Sequence, residues 1–198
     1  MTLNPLKAVL WLYRFYFPVV AFDMPLACQR TQAIKQLAGD IVPGWRGLFS
    51  APESDAVGGK VSRRGVALYR IQTLPGRGNM VYANSWRPVL FARFGMRNNS
   101  LHLTGHFTVH PFIQAFTSLW LLLAFGFGGY VVVMFFFAPA FGIDEPMPLS
   151  FPLTALALIA GGTFLVRLAW RTSKGDIDFI SEFLQQRVGA EEAAKEGR

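Results

Sequence analysis

The sequence predicts an α+β membrane protein: a small antiparallel sheet with one helix, then a two-helix transmembrane hairpin and an amphipathic C-terminal helix. Two charge-free apolar runs in the second half of the chain predict the hairpin, and short alternating segments between turn residues predict the sheet. The composition agrees, because only 16% of the 198 residues are charged, against about 25% in soluble domains.

Basic charge is concentrated before the apolar runs. Residues 1–110 contain 13 Lys and Arg and 4 Asp and Glu, whereas residues 111–166 contain only Asp144 and Glu145 as charged residues. Next to a membrane the nearest anionic partner is the lipid headgroup layer, which is worth about 1 kcal/mol per well-placed Lys or Arg. We therefore expect lipid, and not nucleic acid, as the anionic partner.

The first 40 residues predict one strand and one helix. The apolar run 8–22 is interrupted by Arg14 and Pro18 and is shorter than the roughly 20 residues of a membrane span. Its Tyr, Phe and Val content favours an extended strand. Asp23 then precedes a Met-Pro pair, a pattern typical of a helix N-terminus, and predicts a helix over 24–38.

Residues 45–110 predict short strands separated by turn residues. The candidate strands cover 45–50, 59–63, 66–73, 87–94 and 101–109, and their short connections predict an antiparallel meander. In the last strand apolar residues alternate with histidines and threonines, and only Gly105 interrupts the apolar side. One face of that strand should pack on a core, and the other should face water or an interface.

Two apolar runs are long enough to cross a membrane. Residues 113–137 and 147–166 contain no Asp, Glu, Lys or Arg, and a span needs about 20 apolar residues. Basic residues flank the outer ends of this hairpin, and the loop between the spans has only acidic ones. The positive-inside rule then predicts a two-pass membrane protein with both termini in the cytoplasm.

The positions of the two spans divide the chain into three parts: a basic cytoplasmic α+β domain over 1–110, the hairpin over 111–172, and an amphipathic helix with a tail over 173–198. In the last part Ser173 is placed to cap the helix. The apolar stripe of that helix consists of Ile177, Ile180, Phe183, Leu184 and Val188.

Small residues recur at a spacing of four in each span. They are Ala124 and Gly128 in the first and Ala157 and Gly161 in the second, and this spacing lets helix backbones approach closely. We interpret it as packing of the two helices on each other, with homo-oligomerisation through the same faces as the alternative. Neither span contains an ionisable residue, which argues against a transporter.

The candidate binding residues are basic or titratable side chains of the predicted sheet. They are Arg63, Arg64, Arg70, Arg87, Arg93, Arg97, His102 and His106. A surface for lipid headgroups or for a protein partner is one interpretation of this set. Ordinary solvation combined with a role in membrane topology is the other.

Three histidines at a spacing of four, His102, His106 and His110, would chelate a metal if they lay on a helix. On a strand the same spacing separates successive Cα atoms by about 13 Å, which is too far for one ion. The sequence therefore predicts neither a metal nor a cofactor. Local motifs of known catalytic families are also absent from it.

One stretch of the chain resembles a family pattern. Residues 82–88 read Tyr-Ala-Asn-Ser-Trp-Arg-Pro and lead through a further strand into the hairpin. This resembles small uncharacterised bacterial two-pass membrane proteins, in which a Tyr-x-Asn-Ser-aromatic-x-Pro strand precedes a transmembrane hairpin. The resemblance covers roughly residues 45–170 and implies an architecture and a location in the bacterial cytoplasmic (inner) membrane, without an activity. Ala83 stands where the family usually has Arg, so no role of that Arg carries over.

Three functions follow as hypotheses. The first is a non-enzymatic membrane-anchored module whose basic sheet domain binds lipid headgroups or a protein partner. The second is an enzyme acting on a lipidic or envelope substrate with His102 or His106 as acid or base, which requires a concave site with a carboxylate beside the histidine. The third is a small subunit of a larger membrane complex, which predicts co-purification at fixed stoichiometry.

Overall fold

The chain forms two compact units in the computed structural model, which describes residues 7, 13–43, 55–73, 81–82, 86–137 and 148–189. The first unit joins Met1–His110 to Trp170–Arg198, and the second is Pro111–Ala169. The segment that follows the apolar helices therefore folds with the N-terminal domain.

The fold is mixed α+β, as predicted. Its elements in chain order are β1 (Val20–Pro25), α1 (Arg30–Asp40), β2 (Val42–Pro43), β3 (Ala56–Ser62), β4 (Gly65–Thr73), β5 (Val81–Tyr82), β6 (Pro88–Arg97), β7 (Ser100–Val109), α2 (Pro111–Phe137), α3 (Ser150–Thr172) and α4 (Lys174–Val188).

All strands belong to one sheet in the order β1-β7-β6-β4-β3-β2, with β5 paired to β4. The strands β3, β4, β6 and β7 pair antiparallel, which confirms the predicted meander, whereas β2 pairs parallel to β3. The predicted strands 59–63, 66–73, 87–94 and 101–109 correspond to these four, with ends shifted by up to three residues. The candidate strand 45–50 lies outside the described residues.

The predicted helix over 24–38 is wrong at its start. Met24 and Pro25 continue β1, which pairs antiparallel with β7, and the helix α1 begins only at Arg30. The Asp23 side chain bonds to residues of β6 and β7 instead of capping a helix. Pairing with a distant strand has overridden a local helix signal, and Pro25 is tolerated because β1 is an edge strand. The predicted strand over 8–22 is wrong at residues 13–16, which are helical, and right at 20–22, which begin β1, while residues 8–12 lie outside the described part of the chain.

The core of the first unit lies between one face of the sheet and the two helices α1 and α4. Its sheet side includes Leu68, Leu90 and Leu103, and its helix side includes Leu37 and Leu184, all five of them fully buried. The predicted apolar stripe of the C-terminal helix thus packs onto the sheet. The backbone of Ala27 also bonds to the end of α4, with its N–H 3.0 Å from the Val188 carbonyl oxygen.

The second unit consists of two helices that are long and apolar enough to cross a membrane. The first, α2, has 27 residues and a mean hydropathy of 2.2, and the helix that begins at Ser150 reaches 1.7. Only 17% of the apolar stretch of each is buried. A core helix of a soluble protein would be mostly buried. The exposure of these two helices therefore supports the same interpretation as their apolar composition, that of membrane spans.

The two apolar helices pack through small residues, although not all those predicted. A Cβ atom built on Gly128 would lie 3.0 Å from Ile159 Cδ1, and one built on Gly162 would lie 2.0 Å from the Trp120 ring. Ala157 and Gly161 are exposed, and Gly161 has open space around it. The interpretation as helix–helix packing therefore holds for Gly128, whereas on α3 the contacting face is rotated away from the predicted pair. Ala124 is half-buried.

Candidate functional site

The face of the sheet opposite the core carries the polar side chains. Alternation along β7 directs Thr104 and His106 away from the core, and the register places them beside Arg93 and Phe91 of β6. On the far side of β4, Lys60 of β3 lies on the same face, opposite Ala67. We call this the outer face of the sheet.

A depression of about 550 Å³ lies on the outer face. Its polar lining consists of Lys60, Ser62, Arg64, Arg93, Thr104 and His106, and its floor includes Gly65, Ala67 and Phe91. Among the described residues no carboxylate lines it. We call it the basic depression. Three strands and one turn supply its polar side chains, which come together only because β3, β4, β6 and β7 are neighbours.

Gly65 at the base of this depression is required by a close approach of two strands. A Cβ atom at this position would lie 2.1 Å from the Ala92 carbonyl oxygen, so any other residue would push β4 away from β6.

The cations of the basic depression have no anionic partner among the described residues. Lys60, Arg64 and Arg93 are exposed, and no carboxylate of that part of the chain lies within ion-pair distance of them. The His106 ring stands beside the Phe91 ring, with 6.3 Å between their centroids. The charges of Lys60, Arg64 and Arg93 therefore remain available to a ligand.

A second depression of about 480 Å³ adjoins the first. It is lined by Pro43, Gly59, Lys60, Ala67, Tyr69, Val89, Phe91 and His110. Lys60, Ala67 and Phe91 line both depressions, so the two are neighbours on the outer face. We call the second one the apolar depression, because carbon-rich side chains make up most of its lining.

Arg70 and Arg87 occupy a different environment, a buried polar cluster between the sheet and α4. The Asp176 side chain lies 3.2 Å from Arg70 Nη1 and 3.8 Å from Arg87 Nε. Gln72 donates to Asp176 at 3.1 Å, and Asp55 forms a second ion pair with Arg70. Arg70 also stacks on Phe179, so this cluster connects α4 to the sheet.

Burial governs the electrostatics of this cluster. Asp176 is 2% exposed, and burial raises the pKa of its carboxyl group, while the guanidinium groups of Arg87 and Arg70 oppose that rise. Because the arginine charges are balanced internally, neither residue contributes to an outer binding surface.

Arg97 and His102 belong to a third group, centred on Asp23. Arg97 Nη1 lies 2.6 Å and His102 Nδ1 2.9 Å from the Asp23 carboxylate, and Thr104 donates to it at 3.0 Å. The His102 contact, Thr104 and Arg97 lower the pKa of Asp23 against a smaller effect of burial. On the far side of the ring, Ser100 Oγ lies 3.0 Å from His102 Nε2.

The eight predicted binding residues therefore divide into distinct environments. Arg64, Arg93 and His106 line the basic depression, and Arg63 is exposed on the adjoining turn. The remaining four take part in internal ion pairs; they are Arg70, Arg87, Arg97 and His102.

Sequence reasoning missed Lys60, Ser62 and Thr104 in the basic depression, and Asp23 and Asp176 in the clusters. Strand alternation was a usable signal for Thr104, since it lies between His102 and His106 on one face. For Asp176 the signal was its position four residues before Ile180, on the apolar stripe of α4. Within the described residues no group of three His, Cys, Asp or Glu side chains is placed to hold a metal ion.

Comparison with known proteins adds no relative: no protein-family model matches the chain, and neither a curated protein nor a solved structure is significantly similar to it. The function must therefore be argued from the fold and the site alone.

Proposed function

We propose that this chain is a non-enzymatic, two-pass module of the bacterial inner membrane whose cytoplasmic sheet domain binds the phosphate of anionic lipid headgroups in the basic depression. The proposal has two parts: the anchoring of the chain in a membrane and the recognition of an anion by the sheet.

The anchoring rests on helix length, hydropathy and connectivity. Both apolar helices expose large hydrophobic side chains such as Leu122, Phe136 and Leu165, which water would solvate poorly. The segment 111–169 leaves the first unit and returns to it, so any path across a membrane must cross an even number of times. This supports two spans with both flanks on one side, and the flanking basic residues favour the cytoplasm.

The recognition of an anion rests on Lys60, Arg64 and Arg93, which have no carboxylate partner among the described residues. Phosphate oxygens accept hydrogen bonds from guanidinium and ammonium groups, and Lys60, Arg64 and Arg93 supply such groups in one depression. At about 1 kcal/mol for each Lys or Arg near an anionic surface, Lys60, Arg64 and Arg93 together give about 3 kcal/mol, or roughly 150-fold in affinity.

The test uses the full chain in phosphatidylcholine nanodiscs, mixed with separate vesicles containing phosphatidylglycerol and recovered by flotation. The triple variant Lys60→Gln, Arg64→Gln, Arg93→Gln should lose roughly 100-fold in capture. The matched control is Arg14→Gln, Lys35→Gln, Lys174→Gln, which removes the same charge from exposed positions outside the depression. The control should lose less than about fivefold.

Equal losses in the two triple variants would reduce the effect to net charge, and unchanged capture in the first would refute the proposal. Raising the salt concentration should weaken capture of the unsubstituted chain, because exposed charges are screened within about 8 Å at physiological ionic strength. Binding to an acidic protein without any response to vesicles would instead favour the protein-partner hypothesis.

A second candidate function, ester hydrolysis on a lipidic or envelope substrate, is favoured by one observation. Ser100, His102 and Asp23 are arranged as a nucleophile, a base and an orienting carboxylate, with contacts of 3.0 and 2.9 Å. Ser100 Oγ would attack the ester carbonyl while His102 takes its proton and passes it to the leaving alkoxide, and water would then release the acyl group. The Ser100 hydroxyl also lies 2.8 Å from the Arg97 carbonyl oxygen, so it must turn from that acceptor to react.

This candidate is tested by turnover of short-chain p-nitrophenyl esters by the full chain. Ser100→Ala should abolish turnover, whereas Ser62→Ala, a serine outside the array, should retain it. Turnover that survives Ser100→Ala, or that is absent from the unsubstituted chain, would eliminate the hydrolase.

A further inference from the structure

The outer face of the sheet combines two chemistries in one groove. The basic depression is lined by Lys60, Arg64 and Arg93, and the apolar depression, which shares Ala67 and Phe91 with it, is lined by Tyr69 and Val89; we call the two together the groove. Each depression lies within the range of about 300–1,000 Å³ that is typical of small-molecule sites. A ligand that fills both must carry an anionic group at one end and an apolar segment at the other.

A lipid molecule has this chemistry, and the chain itself supplies a source of lipid. The proposed membrane helices keep phospholipids at high local concentration. The apolar depression is also lined by His110, the residue that immediately precedes α2 in the sequence. Charge complementarity sets the direction of the ligand, with its phosphate among the three cations and its hydrocarbon over the aromatic and aliphatic side chains.

We propose that this groove binds one phosphate-bearing lipid as a monomer, with the phosphate between Lys60, Arg64 and Arg93 and part of an acyl chain along Tyr69, Val89 and Phe91. This rests on the proposed function and deepens it, because headgroup contact at a bilayer surface would need only the basic depression. The apolar depression matters because each methylene that leaves the bilayer for water lowers the equilibrium constant about fourfold. A covered path for the chain avoids that loss.

The experiment uses the full chain reconstituted in vesicles that contain phosphatidic acid with a photoactivatable diazirine within one acyl chain. After irradiation, peptide mapping locates the cross-links. Labels on α2 and α3 are expected from any lipid around a membrane helix and serve as the internal reference. The proposal predicts an additional label on the strands β4 and β6, near Tyr69, Val89 and Phe91. Labels confined to α2 and α3 would overturn it.

Ala67→Glu is the informative variant. Ala67 lies on the shared wall of the two depressions, half-buried and outside the core, so a glutamate there obstructs the groove and adds a repelling charge. We expect the strand label to fall at least tenfold while the helix label persists, which also shows that the variant is inserted; unchanged backbone-amide exchange of α4 shows that the sheet domain remains folded. Ala38→Glu, at an exposed position of α1, is the matched control and should leave both labels unchanged. A strand label that survives Ala67→Glu would contradict the proposed path.

The outcomes separate this inference from the proposed function. Capture by anionic vesicles that depends on Lys60, Arg64 and Arg93, without a strand label, would leave headgroup binding intact and refute the monomer site. Glycerol 3-phosphate, which has the head without the tail, should compete for the strand label only at concentrations at least 100-fold above the lipid. Competition at equal concentration would show that the tail contributes nothing and would refute the amphiphile assignment.

Discussion

Substitution of Asp176 tests whether the buried polar cluster holds α4 on the sheet. In Asp176→Ala, Arg87, which is 8% exposed, loses a carboxylate that lies 3.8 Å from its Nε but keeps its hydrogen bonds to the Arg70 carbonyl oxygen and to Gln72 Oε1. Arg70 is less affected, because it retains its ion pair with Asp55 and is partly exposed. Removing one partner of a buried pair costs about 3–5 kcal/mol. The retained contact of Arg70 points to the lower end, about 3 kcal/mol.

The assay is hydrogen exchange of the backbone amides of α4 in the full chain, under conditions where the rate follows the opening equilibrium. A loss of about 3 kcal/mol corresponds to roughly 150-fold faster exchange around Ile180 and Leu184. The control is Asp178→Ala, the same change at an exposed position two residues further along α4, which should change exchange less than about threefold.

Asp176→Asn should fall between these two variants. The amide keeps an oxygen for Arg70 and Gln72, and burial already raises the pKa of the carboxyl group, so a neutral side chain costs less here than at a solvated site. Exchange in Asp176→Ala that matches the Asp178→Ala control would refute the assignment of the cluster as the attachment of α4.

Three further outcomes are expected. Hydrogen bonds to Asp23 lower the pKa of its carboxyl group below the ordinary value of 3.8. The ionised carboxylate therefore stabilises the fold fully above pH 3.8, and this stabilisation is lost as the pH falls through the lowered pKa. Asp23→Asn should therefore reduce the thermal midpoint at neutral pH but not in strong acid, and a pH-independent difference would contradict this. In detergent, Gly162→Ala should destabilise the helix pair by about 1–3 kcal/mol through overpacking against Trp120. Gly161→Ala, in open space, should instead stabilise the pair by up to about 1 kcal/mol. Equal effects of the two substitutions would disprove the packing of Gly162 on Trp120. An impermeant thiol reagent should label a cysteine placed at Asp144 in intact cells but not one placed at Lys35. Labelling at 35 but not at 144 would show that the chain has the opposite orientation in the membrane.

Much of the fold follows from local patterns that the sequence displays directly. The alternation over 101–109 and the charge-free run over 113–137 each specify an element from its own residues, and both elements are present as β7 and α2. A period of two or an apolar stretch of sufficient length needs no partner to be recognised. The same reasoning misassigned residues 24–29, because Met24 and Pro25 pair with the edge of β7 and the next two backbone N–H groups bond to β7 and α4, partners that no local pattern reveals.

The candidate site could be predicted only in part. Its arginines were visible as a basic excess, but which of them remain available depends on carboxylates far away in the chain: Arg70 contacts Asp176 across 106 residues, and Arg97 contacts Asp23 across 74. Charge counting treats all of these arginines alike, whereas burial and pairing separate them.

The sequence by itself determined the mixed α+β composition, the meander and the two apolar helices, because hydrophobic period and run length are properties of consecutive residues. Only the tertiary structure decided that α4 returns to the sheet, that β1 pairs with β7, and that Lys60, Arg64 and Arg93 surround one depression. These arrangements depend on contacts between residues far apart in the sequence. Several sheet edges and helix faces could pair, and the packing of the whole domain selects the combination that forms.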